Sequence, residues 1–325
     1  MAVAAPTREE LASSTSLDEL YRRLDIVGMG PGWNKPTPSL WSAPRKTMVP
    51  ARWRYEQARG ALDAAGGLIS TELAERRNLI LFNPVEGNTY ATVTTLIAAY
   101  QMIMPGEWAR EHRHTPNALR LILDAEPGTY TAVDGVNIPM EPGDVLLTPN
   151  WSTHGHGNKG KACAYWLDFL DAPLVQLLEP MFFEPRERGG GPADTTPTKD
   201  SPFVFPYSDT MRRLDEVRAT PSGPFATSVE LGNPALLTTG LHMMRLSPGV
   251  RTSEVRTTAN NIYAVANGKG VSTVDGERFD WSRGDVIAVP AWRPHFHEAE
   301  DDAVLLRVTD EPMLKSLGFY RVETV

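Results

Sequence analysis

Four of the seven histidines fall in two short stretches, at positions 112, 114, 154 and 156. His112 and His114 are separated by one residue. On a strand, residues two apart project from the same face, so this pair can share one metal ion. His154 follows a Gly-x5-Pro turn (Gly143 to Pro149) and can supply a third ligand. Imidazole at three facial positions suits Fe(II), Mn, Ni or Zn. A lone histidine on a strand is more often a hydrogen-bonded core or surface residue. The pair by itself leaves both readings open.

The elements that must position these residues are mostly short strands. From about residue 82 the sequence carries β-rich runs, among them ALRLIL, TYTAV, DVLLTP and CAYWLDFL. Turn signals separate them at Pro105-Gly106, Pro127-Gly128, Asp134-Gly135 and Pro142-Gly143. Such a pattern predicts a sandwich or barrel. A second β-rich block runs from about Leu236 to Thr309 and repeats the first. MEPGDVLLTPNWSTHGH (140–156) aligns with WSRGDVIAVPAWRPHFH (281–297) at an offset of 141. Gly143, Asp144, Pro149, Trp151, His154 and His156 fall on Gly284, Asp285, Pro290, Trp292, His295 and His297. Pro105-Gly106 matches Pro248-Gly249 at an offset of 143. Two tandem β units follow from the repeat.

Ahead of the strands, Ser16 and Glu19 have capping-box spacing, and Leu17, Leu20, Tyr21 and Leu24 form a helical stripe. Residues 27–50 are rich in Gly, Pro and Trp and read as an extended arm. Helix returns over Tyr55–Ala65 and Ser70–Arg76. Residues 186–202 read as a linker or surface loop, followed by a short helix over Ser208–Arg218. The expected division is a helical N-terminal arm (1–81), a metal-bearing β unit (82–185), a linker with a short helix (186–235) and a second β unit (236–325).

The chain has 325 residues and a net charge of −8, with no basic stripe, so nucleic acid is not an expected partner. Its one cysteine, Cys163, allows no internal disulfide, which suits a reducing compartment. No apolar run reaches the roughly 18 residues of a membrane span. No basic-then-apolar leader is visible at Met1–Glu10. These features give the expectation of a cytoplasmic protein with no membrane partner.

The two framed histidine runs resemble the signature motifs of the cupin superfamily, with Trp151 where a glycine is usual. That resemblance implies an all-β core of tandem double-stranded β-helices, a bicupin of jelly-roll barrels. It makes His112, His114 and His154 the metal ligands. The usual cupin glutamate is missing, since Ala118 and Leu119 occupy its place. In the second unit Val255 and Thr257 stand where His112 and His114 would fall, so that barrel is expected to hold no metal.

Over nearly the whole chain the sequence is similar to the gentisate 1,2-dioxygenase group, which includes salicylate and 1-hydroxy-2-naphthoate dioxygenases. ARWRYEQARGALDAAGGLISTELAERRNLILFNP, AYQMIMPGEWAREHRHTPNALRLIL and GDVLLTPNWSTHGHGN carry the likeness. The resemblance implies one Fe(II) per chain and dioxygen as co-substrate. It also implies an aromatic hydroxy acid, gentisate foremost, and a homotetramer. Salicylate or a 5-nitro or 5-chloro salicylate is the alternative substrate.

By the same resemblance His156 and Arg120 take catalytic and substrate-binding roles. Gln101, Arg77 and Asp168 join them around the substrate. An inward Arg120 among apolar neighbours is costly unless it meets an anion. Asp168 is expected to face the pocket, where it could receive the second ring hydroxyl of gentisate. DAEPGTY departs from the family's usual Glu-Gly turn. The competing class is a cupin of another kind: a sugar-binding or storage protein, a Mn oxalate enzyme or a Zn isomerase. The missing glutamate and the presence of Arg120 weigh against the last two, and a storage protein has no need of the histidine set.

Overall fold

The computed structural model describes residues 4–74, 76–186, 196–218, 225–232 and 236–325. It divides into two compact units, residues 1–45 and 46–325. In the first, the helix Leu17–Ile26 starts where expected, with Ser16 accepting from the Glu19 N–H. Residues 27–45 contain no helix or strand.

The larger unit holds two barrels of the same construction. In the first barrel a six-stranded antiparallel sheet runs Val204–Phe205, Val145–Thr148, Ala118–Asp124, Ala164–Leu170, Ile97–Ile103, Arg77–Ile80. A five-stranded sheet faces it, in the order Phe183–Pro185, Trp108–His114, His154–Asn158, Thr129–Val133, Val136–Pro139. The second barrel repeats both orders. Its six-stranded sheet runs Ala51–Trp53, Val286–Val289, Asn261–Asn267, Ala303–Thr309, Gly240–Leu246, Thr227–Glu230.

Strand alternation decides what faces where. On Ala118–Asp124, Leu119, Leu121 and Leu123 point to one side, and Arg120 and Ile122 to the other. The leucines join Tyr100, Leu167 and Phe169 of the first barrel and Met243, Ile262, Leu306 and Val308 of the second in one buried cluster. The two six-stranded sheets therefore pack on each other. Their strands are apolar on that side, which frees the barrel-facing side for polar residues.

The barrels are also laced together. The Asp310 carboxylate accepts from Thr95 Oγ1 at 2.6 Å. Its counterpart Asp171 accepts from Thr238 Oγ1. The repeated Gly-Asp turns each receive a tyrosine-led helix: Asp144 Oδ1 accepts the Tyr207 N–H and Asp285 Oδ1 the Tyr55 N–H, both at 2.8 Å. The turn glycines Gly143 and Gly284 have φ of 89° and 88°, and a Cβ on either would collide with the tyrosine ring.

The chain's course departs from the expected boundaries. Within 1–81, Ala51–Trp53 belongs to the second barrel's sheet and Arg77–Ile80 to the first barrel's. Within 186–235, Val204–Phe205 pairs with the first barrel and Thr227–Glu230 with the second. These segments pair because they cover strand edges that would otherwise be open. The linker and arm are thus partly edge strands. The helix over Ser208–Arg218 is present as Tyr207–Arg218. Residues 187–195, 219–224 and 233–235 of the expected linker lie outside the described residues.

Candidate metal centre and substrate pocket

His112 and His114 lie on the strand Trp108–His114, and His154 opens the strand His154–Asn158 directly opposite His112. All three are buried. The ring centroids of His112 and His154 are 4.4 Å apart, and those of His114 and His154 are 4.7 Å apart. One nitrogen from each lies within 4.8 Å of the others.

The outer nitrogens fix which ones face inward. Nδ1 of His112 lies 3.1 Å from the Arg110 carbonyl oxygen, Nδ1 of His114 lies 2.8 Å from that of Pro116, and Nδ1 of His154 lies 2.9 Å from that of Ser152. A carbonyl only accepts, so Nδ1 carries the proton in each ring and Nε2 keeps its lone pair. Backbone carbonyls orient metal-binding imidazoles in this way. Burial and neighbouring charge hold the rings neutral. His112 is pushed down to about 3, chiefly by burial and then by Arg76. His114 and His154 are lowered, again mainly by burial. Three neutral nitrogen donors fit a divalent transition metal.

Trp151 explains how the turn before His154 is held. Its φ is 65°, a left-handed conformation that favours glycine. Its N–H donates to the His114 carbonyl at 3.0 Å, and the Arg113 guanidinium covers its ring at 4.6 Å. Trp292 repeats the conformation, with Arg256 over its ring.

Behind the triad lies a buried polar cluster. Arg120 has no exposed surface and donates from Nε to Asp168 Oδ1 at 3.0 Å. Asp168 also accepts from Trp166 Nε1 at 3.0 Å and from Gln101 Nε2. With three donors on its carboxylate, Asp168 holds Arg120, Trp166 and Gln101 in place. An amide nitrogen must face a carboxylate, so Gln101 presents Oε1, which is buried and accepts from no group among the described residues. His156 is held through Nδ1, 3.0 Å from Thr131 Oγ1, and its ring lies 5.1 Å from Trp166. Its Nε2 is buried with no partner among the described residues. Burial, then Arg120 and Arg76, drive His156 well below its ordinary range.

The structure thus brings together His112, His114, His154, His156, Arg120, Gln101 and Asp168. Arg77 is not among them. Its guanidinium pairs with Glu107 at 2.7 and 2.9 Å and donates to the Ile69 carbonyl. Alternation is the reason: Asn78 sits opposite Gln101, so Arg77 faces the other side of the sheet. Its neighbour Arg76, together with Arg120, is a cation that His112, His114 and His156 feel. Strand register, invisible in the sequence, separates the two arginines. Thr131, Thr148 and Phe183 were also missed. Phe183 lies on an edge strand with its ring 5.2 Å from that of His112. Beside that strand an opening of about 490 Å³ is lined by His112, Arg113, Thr153, Pro185 and Arg186.

Among the described residues the second barrel has no group of three converging metal-type ligands. Val255 lies opposite His295, as His112 lies opposite His154. His295 Nε2 is engaged by the Tyr263 hydroxyl at 3.1 Å.

Fold and site together define a bicupin with a convergent histidine triad in its first barrel, and the cupin-domain family model matches residues 99–170 and 242–310. The chain is 32% identical to 5-aminosalicylate 1,2-dioxygenase from Comamonas sp, over 94% of this chain and 90% of that one. It is 31% identical to gentisate 1,2 dioxygenase 1 from Aquipseudomonas alcaligenes, over 96% and 98%. The crystal structure of salicylate 1,2-dioxygenase from Pseudaminobacter salicylatoxidans superposes with a TM-score of 0.86 at 26% identity, covering 96% of this chain and 98% of that one. The chain belongs to the gentisate- and salicylate-type 1,2-dioxygenases, oxidoreductases of the bicupin fold.

Among the described residues no helix is long and apolar enough to cross a membrane.

Proposed function

We propose that this chain uses one ferrous ion, held by His112, His114 and His154, to open the ring of gentisate. The bond broken joins the carboxyl-bearing and hydroxyl-bearing carbons. Both atoms of dioxygen enter the ring-opened oxo-diacid. The observation that carries this reading is the set of three carbonyl-anchored imidazoles whose remaining nitrogens converge.

When bound, ferrous iron supplies open coordination positions and the electron density that triplet dioxygen needs to react with a closed-shell ring. The rest falls to the chain's own residues. Three neutral histidines bring no negative charge, so an anionic hydroxy acid balances the site. Arg120 orients that anion with its planar fork, which Asp168 keeps in register. His156 holds or moves a proton at Nε2, beside the substrate's phenolic oxygen. Arg76 adds positive charge at the same face.

Gln101 favours gentisate over nitro- or chlorosalicylate. Its Oε1 is an acceptor without a donor. Gentisate and 5-aminosalicylate both carry a hydrogen-bond donor para to the phenolic hydroxyl. A nitro or chloro group offers none and leaves the acceptor unpaired, at a cost of about 1–3 kcal/mol. Oxygen uptake by iron-loaded protein with gentisate, 5-aminosalicylate, salicylate and 5-chlorosalicylate tests the reading. The expected kcat/KM is highest for the first two. Preference for salicylate or its chloro derivative would reject gentisate while keeping ring cleavage. No uptake with any of them would reject the dioxygenase reading of this site.

A further inference from the structure

The second barrel keeps the scaffold of the first with different side chains on it. Arg307 lies opposite Tyr263 and His242, as Asp168 lies opposite Arg120 and Ala99. Tyr263 therefore occupies the Arg120 position and Arg307 the Asp168 position. The exchange removes the carboxylate from the barrel and leaves a cation.

Arg307 is only 3% exposed. Its Nη2 donates to Glu311 Oε2 at 2.6 Å. Glu311 does not neutralise it alone, because Lys315 Nζ contacts the other carboxylate oxygen at 2.6 Å. Two cations share one anion. Among the described residues Nε and Nη1 of Arg307 are buried without a well-aligned acceptor; the Tyr263 hydroxyl lies near the guanidinium and the Phe225 ring covers its face at 4.3 Å. The hydroxyl of Tyr263 is turned to His295, whose Nδ1 is committed to the Arg293 carbonyl at 3.0 Å. His297 adds another unpartnered buried nitrogen, Nε2. Its Nδ1 faces Ser272 Oγ at 2.7 Å, and that oxygen already accepts from Trp281 Nε1. Burying guanidinium N–H groups without acceptors is costly.

We propose that the second barrel holds a small monoanion, of halide or formate size, on Nε and Nη1 of Arg307. The barrel that lacks metal ligands is then an anion site, with charge-assisted hydrogen bonds where the first barrel has its Arg120–Asp168 pair.

The test uses the full chain and bromide as probe. Thermal unfolding is followed in sodium bromide and, at matched ionic strength, in sodium gluconate, whose bulky anion cannot enter. Crystals grown in bromide are measured at its absorption edge. The expected result is a saturating rise in Tm of about a few degrees with bromide alone. An anomalous peak should stand within hydrogen-bond reach of Arg307 Nε and Nη1. Arg307→Met should abolish the bromide response. If that variant does not fold, the wild-type titration and crystal decide. Equal responses to the two salts, or only water on both nitrogens, would overturn the proposal. So would a peak without a saturating response, which marks an adventitious ion.

Discussion

The Arg120 guanidinium donates from Nε to Asp168 Oδ1 at 3.0 Å, with both side chains sealed from solvent. Burial lowers Arg120 from its ordinary value and Asp168 opposes that shift. Removing the carboxylate leaves a buried cation without its counter-ion, which typically costs about 3–5 kcal/mol. Asp168→Ala is expected to lose stability by that order, seen as a lower urea midpoint at unchanged m. Asp168→Asn should lose less.

Arg120 itself is the anchor for an anionic substrate. Among the described residues its Nη1 and Nη2 meet Thr131 and Thr148, at 3.4 and 3.3 Å. Charge-assisted hydrogen bonds to a carboxylate are worth about 1.5–3 kcal/mol each. Arg120→Ala should lower kcat/KM by about tenfold or more with iron still bound. Arg120→Lys should recover part of the loss, because lysine cannot make the fork. Unchanged kinetics in either variant would remove Arg120 from substrate binding.

The two arginines at 76 and 77 mark the limit of what the sequence discloses. The triad was legible because residues two apart on a strand share a face, and because a fixed offset of 141 placed its frame twice. Arg120 and Asp168 were legible as charges inside apolar runs. Which of two adjacent arginines faces the pocket depends on strand register, set by pairing with Ile97–Ile103. The edge strands Ala51–Trp53 and Val204–Phe205 are too short to leave a periodic signal. The exchange of Arg120 and Asp168 positions for Tyr263 and Arg307 likewise appears only when the strands are laid side by side.

Acid should destabilise the metal-free protein steeply. All seven histidines are depressed below 6.5; His112 lies at about 3, and His242 and His295 at about 4. Burial is the leading cause in each. The unfolded chain takes up these protons first, so the stability contributed by the neutral rings is full above pH 6.5. It is lost as pH falls toward 4 and below. Each histidine adds about 1.4 kcal/mol per pH unit to the slope across that window. Denaturant midpoints between pH 7 and 4.5 should fall accordingly, and a flat profile would contradict the burial assigned to these rings.

The N-terminal unit carries exposed apolar side chains on a segment without helix or strand. Trp33 is 72% exposed, Leu40 87% and Trp41 58%. Large aromatic surfaces of this kind are ordinarily covered. We expect a homo-oligomer, a tetramer, with the arm from residue 33 packed across subunits up to the point where Ala51 and Arg52, expected to share in it, pair instead with this chain's own second barrel. Light scattering should report that mass, and removal of residues 1–45 should lower it. A fully active monomer would refute the assignment.

The most direct test of the account is anaerobic titration of ferrous ion into wild-type protein, His154→Ala and His295→Ala, with bound iron counted after desalting. The account predicts about one iron per chain in wild type and in His295→Ala, and almost none in His154→Ala. Full iron binding by His154→Ala, or its loss in His295→Ala, would contradict it.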